Sequence, residues 1–344
     1  MKALKIVLLL ASCLIFSGCK SVSMSDRGLS RLDVIPGTCD AAGIEWLDRK
    51  ILNSHVGRDD YSSNKVANEF ALFAVASENA YAEVLDDGVL AENIPRGSKR
   101  GFLVKDYDPR WQLLQRLHFE NGLSFDVYYK EEDAELPASA MMLAIRGTNE
   151  GADDWIYGNI PWIASLFSQE TQFETLRKEF QKIVVSKGKG QKRPYVFATG
   201  HSLGGALARH LAEAYPCTSA VVFDASPITL ETTLTPRMLG GLVIDIVERD
   251  DELRVATNWL ADFSRDNDYV KFRLNPVSAG NFQHSETGFA VALPRYVLDC
   301  RARGGSCEIK DSDPGVARAR AVYCGNPKNS DIKKSYGVND LVCR

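Results

Sequence analysis

The chain has 344 residues, 45% of them hydrophobic, which suits one large α/β domain or two small ones with a sizeable buried core. Its formal net charge is −4, with acidic and basic residues interspersed. There is therefore no polybasic field, and nucleic acid is excluded as a partner. Repeats and low-complexity tracts do not occur, which removes solenoid and fibrous classes.

The first element is a leader. Lys2 and Lys5 precede an apolar segment from Ile6 to Phe16, followed by Ser17, Gly18 and Cys19. A basic start, an apolar stretch and small residues at its end make a secretory signal. The stretch is too short to cross a ~30 Å hydrocarbon core, which needs roughly 20 residues. The segment resembles a bacterial lipoprotein signal, with Phe16 where leucine is usual. That resemblance implies that residues 1–18 are removed and that Cys19 is acylated, becomes the new amino terminus and anchors the protein to a membrane. A plain secretory signal cut near Cys19 is the other reading. Lys20 stands where an inner-membrane retention signal would carry aspartate, so the expected location is the outer membrane of a bacterial envelope.

Export agrees with the cysteines. Cys39, Cys217, Cys300, Cys307, Cys324 and Cys343 form an even set in a compartment that permits disulfides. Sequence does not choose their pairing. There is no Cys-x-x-Cys pair, and histidine is not interleaved at zinc spacing, so no metal is expected. No organic cofactor is implied either.

Residues 19–40 are polar and irregular at first, suited to a tether. Apolar residues recurring every three or four positions predict a helix over 66–84. Segments 112–119 and 123–130 flank Asn121-Gly122 and predict an antiparallel hairpin with a two-residue turn. From Ala140 onward, short apolar runs at Ala140–Ile145, 195–199, 220–223, 242–247 and Tyr269–Leu274 read as buried strands. Helical patterns at 171–185 and 203–215 fall between the first three. The alternation predicts an α/β fold with a mostly parallel central sheet flanked by helices. Catalytic groups in such sheets collect at the carboxyl ends of the strands. Beyond about residue 294 the chain is charged, glycine-rich and cysteine-containing. It reads as an extension, 294–344, pinned by disulfides, with the main domain over 41–293.

The chemistry centres on Gly200-His201-Ser202-Leu203-Gly204. The pattern G-x-S-x-G alone is weak, since roughly one chain in ten of this length would carry it by chance. Here it directly follows a predicted strand and opens a helix rich in small residues. A serine on such a turn is exposed on strained backbone as a nucleophile. The Leu203 amide, at the helix start, would supply half of an oxyanion hole. Together with Ala144 to Trp155 (AIRGTNEGADDW), this segment resembles the class 3, fungal-type lipases of the α/β-hydrolase superfamily. The resemblance covers roughly 66–293. It implies an α/β-hydrolase fold and makes Thr148, after Arg146-Gly147, the second oxyanion donor. The family's histidine-glycine-phenylalanine step before the next helix is replaced here by Gln172-Phe173. The apolar segment 155–167 stands where such lipases carry a lid, although core packing would explain it nearly as well.

A serine nucleophile needs a base and an orienting acid, in the order serine, acid, histidine for this fold. Only His210 and His284 follow Ser202. His210 lies eight residues along the same helix, about 12 Å away along its axis, and suits packing. His284, after the last predicted strand, is the expected base. The family's spacing of acid from apolar strand residues selects Asp251, with Asp250 and Asp224 as rivals. The expected activity is hydrolysis of carboxylic esters of lipids, as a lipase, phospholipase or esterase. Thioesterase and peptidase chemistry stay open, because a triad does not name its leaving group. The reading from another class is a non-catalytic envelope lipoprotein that uses the fold to bind lipid or a partner protein.

Overall fold

A computed structural model describes residues 38–39, 41–55, 62–81, 103–147, 172–187, 192–226, 241–248, 269–274, 286–302, 309–310 and 312–325. The chain divides into two units, Met1–Ile35 and Pro36–Arg344. All described residues belong to the second. The leader, Cys19 and the segment 155–167 lie outside them.

The strands are β1 (Thr38–Cys39), β2 (Gln112–His118), β3 (Ser124–Lys130), β4 (Ala140–Ile145), β5 (Lys192–Arg193), β6 (Tyr195–His201), β7 (Thr218–Phe223), β8 (Val243–Glu248) and β9 (Tyr269–Leu274). The helices are α1 (Ala42–Ser54), α2 (Ser63–Asn79), α3 (Val104–Tyr107), α4 (Gln172–Lys187), α5 (Leu203–Ala214), α6 (Glu286–Ala302) and α7 (Pro314–Gly325). Seven strands make one sheet in the order β2-β3-β4-β6-β7-β8-β9. The two pairings at the β2 side are antiparallel, and every pairing from β4 to β9 is parallel. The fold is thus α/β with a mostly parallel sheet, and β1 and β5 form a separate parallel pair.

The central strands are continuous apolar runs because both faces of the sheet are covered. β4, β6, β7 and β8 are buried along their whole length. Alternate residues sort to the two faces. Met142, Phe197, Val221, Ile244 and Phe272 join a core with Trp46 of α1, Phe70 and Phe73 of α2 and Phe289 of α6. Their buried neighbours, among them Leu143, Ala198 and Val222, face the other way, where α5 lies on β4, β6 and β7. Helix α2 is enclosed between the sheet and α6, which is why Phe70 through Ala76 is continuously apolar and the helix is buried almost throughout from Val66 to Asn79.

Three local expectations are corrected. First, Asn121-Gly122 does not make a two-residue turn. Phe119 N–H donates to Leu123 O, and Gly122 N–H donates to Phe119 O with Gly122 at φ 82°. The loop therefore holds three residues with glycine in the left-handed region, and the register moves by one. That shift puts Arg116 opposite Asp126, where a two-residue turn would have put Val127. Second, the helix expected over 66–84 runs from Ser63 to Asn79 and closes in a turn at Ala80 and Tyr81. Third, the boundary expected at 293/294 falls inside α6, whose Leu293, Val297 and Leu298 are buried.

The described part of the carboxy-terminal segment is built into the domain. Helix α7 buries Val316 and Ala319. Its Arg318 pairs with Asp108 and Glu135, which Arg110 also bridges to Asp133. Cys217 and Cys324 are both disulfide-bonded. Burial raises the Glu135 carboxyl, but Arg318, Lys50 and Arg110 outweigh it and hold it at about 2. Unfolded, it returns to the ordinary range near 4.5, so the stabilisation is full above that value and disappears as pH falls towards 2. A Glu135→Gln variant should lose roughly 1–2 kcal/mol at neutral pH. Its unfolding free energy should also fall less steeply than the wild type's between about pH 4.5 and 2, as chemical denaturation would measure. Equal acid slopes would remove this network from the account.

Candidate functional site

Ser202 sits between the end of β6 and the start of α5 with φ 55° and ψ −124°. A serine in this region costs on the order of 1–3 kcal/mol and persists only where its surroundings impose it. Here the surroundings are three backbone bonds. Ser202 N–H donates to Phe223 O at 3.2 Å, and Ser202 O accepts from Ser226 at 2.9 Å and Ala206 at 3.1 Å. The loop after β7 and the first turn of α5 therefore grip the serine from two sides. Its Oγ lies 3.3 Å from Ser226 Oγ, and the residue is 4% exposed.

Intrahelical bonding in α5 starts with Ala206, so the Leu203 amide lies ahead of it at the positive end of the helix. The expected donor is thus at a helix start. Gly204 permits this close fit: a Cβ there would stand 2.1 Å from Ile145 O, at the end of β4. The same contact brings Arg146-Gly147 beside the elbow. A Cβ on Gly147 would lie 2.8 Å from His201 O and 2.4 Å from Tyr81 Oη. Structure thus brings Ser202, Leu203 and the Arg146-Gly147 step together. Thr148, Asp250, Asp251 and His284 lie outside the described residues.

Asp224 is fully buried at φ 39°. Its carboxylate accepts the Glu248 N–H at 2.9 Å, and its own N–H donates to Ile246 O. It ties the end of β7 to the end of β8. His210 faces inward, edge-on to Phe173 at 5.0 Å between ring centroids. Its Nε2 has no partner among the described residues. Burial, with Arg177 adding to it, pushes its pKa down to about 4. It belongs to the packing between α5 and α4.

Two residues of this neighbourhood were not singled out in the sequence. Ser226 follows Asp224 by two, and nothing beside it in the sequence marks it as a neighbour of Ser202. Tyr81 is the last described residue after α2 and looks like one more member of an apolar helical stretch. Its phenol accepts the Gly147 N–H at 3.0 Å and donates to His201 O at 3.5 Å. The Arg146 guanidinium lies 6.0 Å from the centre of its ring. No protein-family model matches this chain, and no curated protein aligns with it significantly.

The buried imidazole has a consequence for stability. Below about pH 6.5 the unfolded chain binds a proton at His210 that the folded chain refuses until about pH 4. Stability therefore falls as pH drops through that window, by up to about 3 kcal/mol. His210→Leu should flatten the pH dependence of the urea midpoint between pH 6.5 and 4. An unchanged profile would mean that the imidazole is not buried in its neutral form.

Proposed function

We propose that this chain is a serine hydrolase that cleaves carboxylic esters of lipids through an acyl-enzyme. The observation that carries the reading is Ser202 at φ 55° on a strand-to-helix turn, next to the Arg146-Gly147 step. Strain of this kind at a polar residue is a signature of functional sites. The resemblance of both segments to class 3 lipases supports it.

Ser202 Oγ adds to the ester carbonyl carbon while His284, oriented by Asp251, takes the hydroxyl proton. The oxyanion would be received by the amides of Leu203 and Thr148, donors of the kind that stabilise charge developing in the transition state. Collapse breaks the bond to the alcohol oxygen. The alcohol leaves with the proton held by His284, and the acyl group stays on Ser202. Water then attacks the acyl carbon, gives a proton to His284 and releases the acid, and the serine recovers its hydrogen. No metal or organic cofactor enters. Acylated Cys19 would hold the enzyme to the outer membrane beside lipid substrate.

A fluorophosphonate probe should label the wild type and not Ser202→Ala. Hydrolysis of p-nitrophenyl esters should fall by about a thousandfold or more in the same variant. His284→Ala should lose activity comparably, while His210→Leu keeps it. Asp251→Asn should cost more than Asp250→Asn or Asp224→Asn. A wild type that neither labels nor hydrolyses would turn the assignment towards a lipid- or protein-binding envelope lipoprotein.

A further inference from the structure

The phenol of Tyr81 bridges the two backbone segments that meet at the candidate site. It accepts the Gly147 N–H beyond β4 and donates to the His201 carbonyl just before the nucleophile. One hydroxyl proton and one oxygen lone pair are thus spent on the two sides of a single junction. The contact is tight, since even a methyl group on Gly147 would reach within 2.4 Å of the phenol oxygen.

Tyr81 is itself held from behind. Arg116 on β2 pairs with both carboxylate oxygens of Asp126 on β3. Arg116 Nη2 also donates to Asn79 O, the last carbonyl of α2, at 2.6 Å. Tyr128 donates to the same Asp126 carboxylate at 3.1 Å. Asn79 Oδ1 accepts the Val104 N–H at 3.1 Å, fixing the other side of the helix end. The buried charge pair thus anchors the end of α2 two residues before the tyrosine. A guanidinium that satisfies a carboxylate and a helix carbonyl together is a rigid support, because the ion pair cannot separate without stranding a buried charge.

From this arrangement we infer that Tyr81 is a positioning residue for the reaction proposed above. It sets the Arg146-Gly147 step, which precedes the proposed oxyanion donor in the chain, against the Ser202 elbow. The inference rests on the serine-hydrolase reading. Positioning of this kind acts on the transition state and leaves ground-state binding alone. Tyr81→Phe keeps the ring and removes the bridging oxygen. It should lower kcat for p-nitrophenyl esters by about 10- to 100-fold, with KM within about twofold of the wild type. Its melting temperature should stay within a few degrees. Fluorophosphonate labelling should slow to a similar extent.

Gly147→Ala breaks the same contact from the other side and should show the same split. Either folded variant turning over at the wild-type rate would overturn the inference. So would a loss of kcat in Tyr81→Phe accompanied by loss of cooperative unfolding and a raised KM, which would make the phenol a structural support. If the wild type itself neither hydrolyses esters nor labels, the hydrolase reading fails first and the role of Tyr81 falls with it.

Discussion

The carboxyl edge of the sheet depends on how closely the first turn of α5 lies on the end of β4. Gly204 occupies a place where any side chain would collide with Ile145 O and the Arg146 carbonyl carbon, at 2.1 and 2.8 Å. Gly205 similarly abuts Ala225, in the loop after β7. The helix start is therefore wedged between two strand ends. That wedge forces the chain to turn within one residue after β6, and the residue that absorbs the turn is Ser202. Its unfavourable backbone is thus imposed by the sheet and held by hydrogen bonds to the β7 side.

How far the sequence reveals this depends on whether the cause is local. β4, β6, β7, β9 and α5 are legible because burial on both faces or on one stripe writes its own period into the chain. The elbow is legible because glycines flank a serine between two such elements. Helix α7 is not. Val316 and Ala319 are the buried apolar side chains among the described ones of its charged sequence, and it is tied down by Arg318 to Glu135, 183 positions away. Nothing within α7 announces a partner at that distance. Tyr81 fails for a similar reason: its role is set by Gly147 and His201, which only the folded sheet brings to it.

The register of β2 on β3 shows how a small turn error propagates. Asn121-Gly122 marks the reversal correctly, yet the number of loop residues decides which side chains face each other. With glycine in the left-handed position of a three-residue loop, Arg116 meets Asp126 across the pair. Shifted by one, Asp126 would lose its counter-charge, and a carboxylate with no exposure would stand alone. Burial does raise the Asp126 carboxyl even with Arg116 beside it. The pair is better understood as a device that fixes geometry than as a source of stability. What it fixes is the end of α2, and through it the phenol at the junction of β4 and β6.

Strand order also bears on the proposed triad. β6, β7, β8 and β9 are successive parallel neighbours, so their carboxyl ends lie along one edge. The order serine, acid, histidine in the chain is then the order in which their strands are met across the sheet. Asp251 follows β8, two strands from β6, and the start of the segment bearing His284 follows β9, three strands away. At about 4.8 Å per strand these offsets are roughly 10 and 14 Å. Ten residues separate Leu274 from His284, a reach of at most about 35 Å when fully extended. That span covers the return to Ser202 more than twice over. A base delivered from β9 thus needs no distortion of the sheet, whereas His210, fixed on α5 with its ring against Phe173, could reach the serine only by unwinding the helix that holds Ser202 in place.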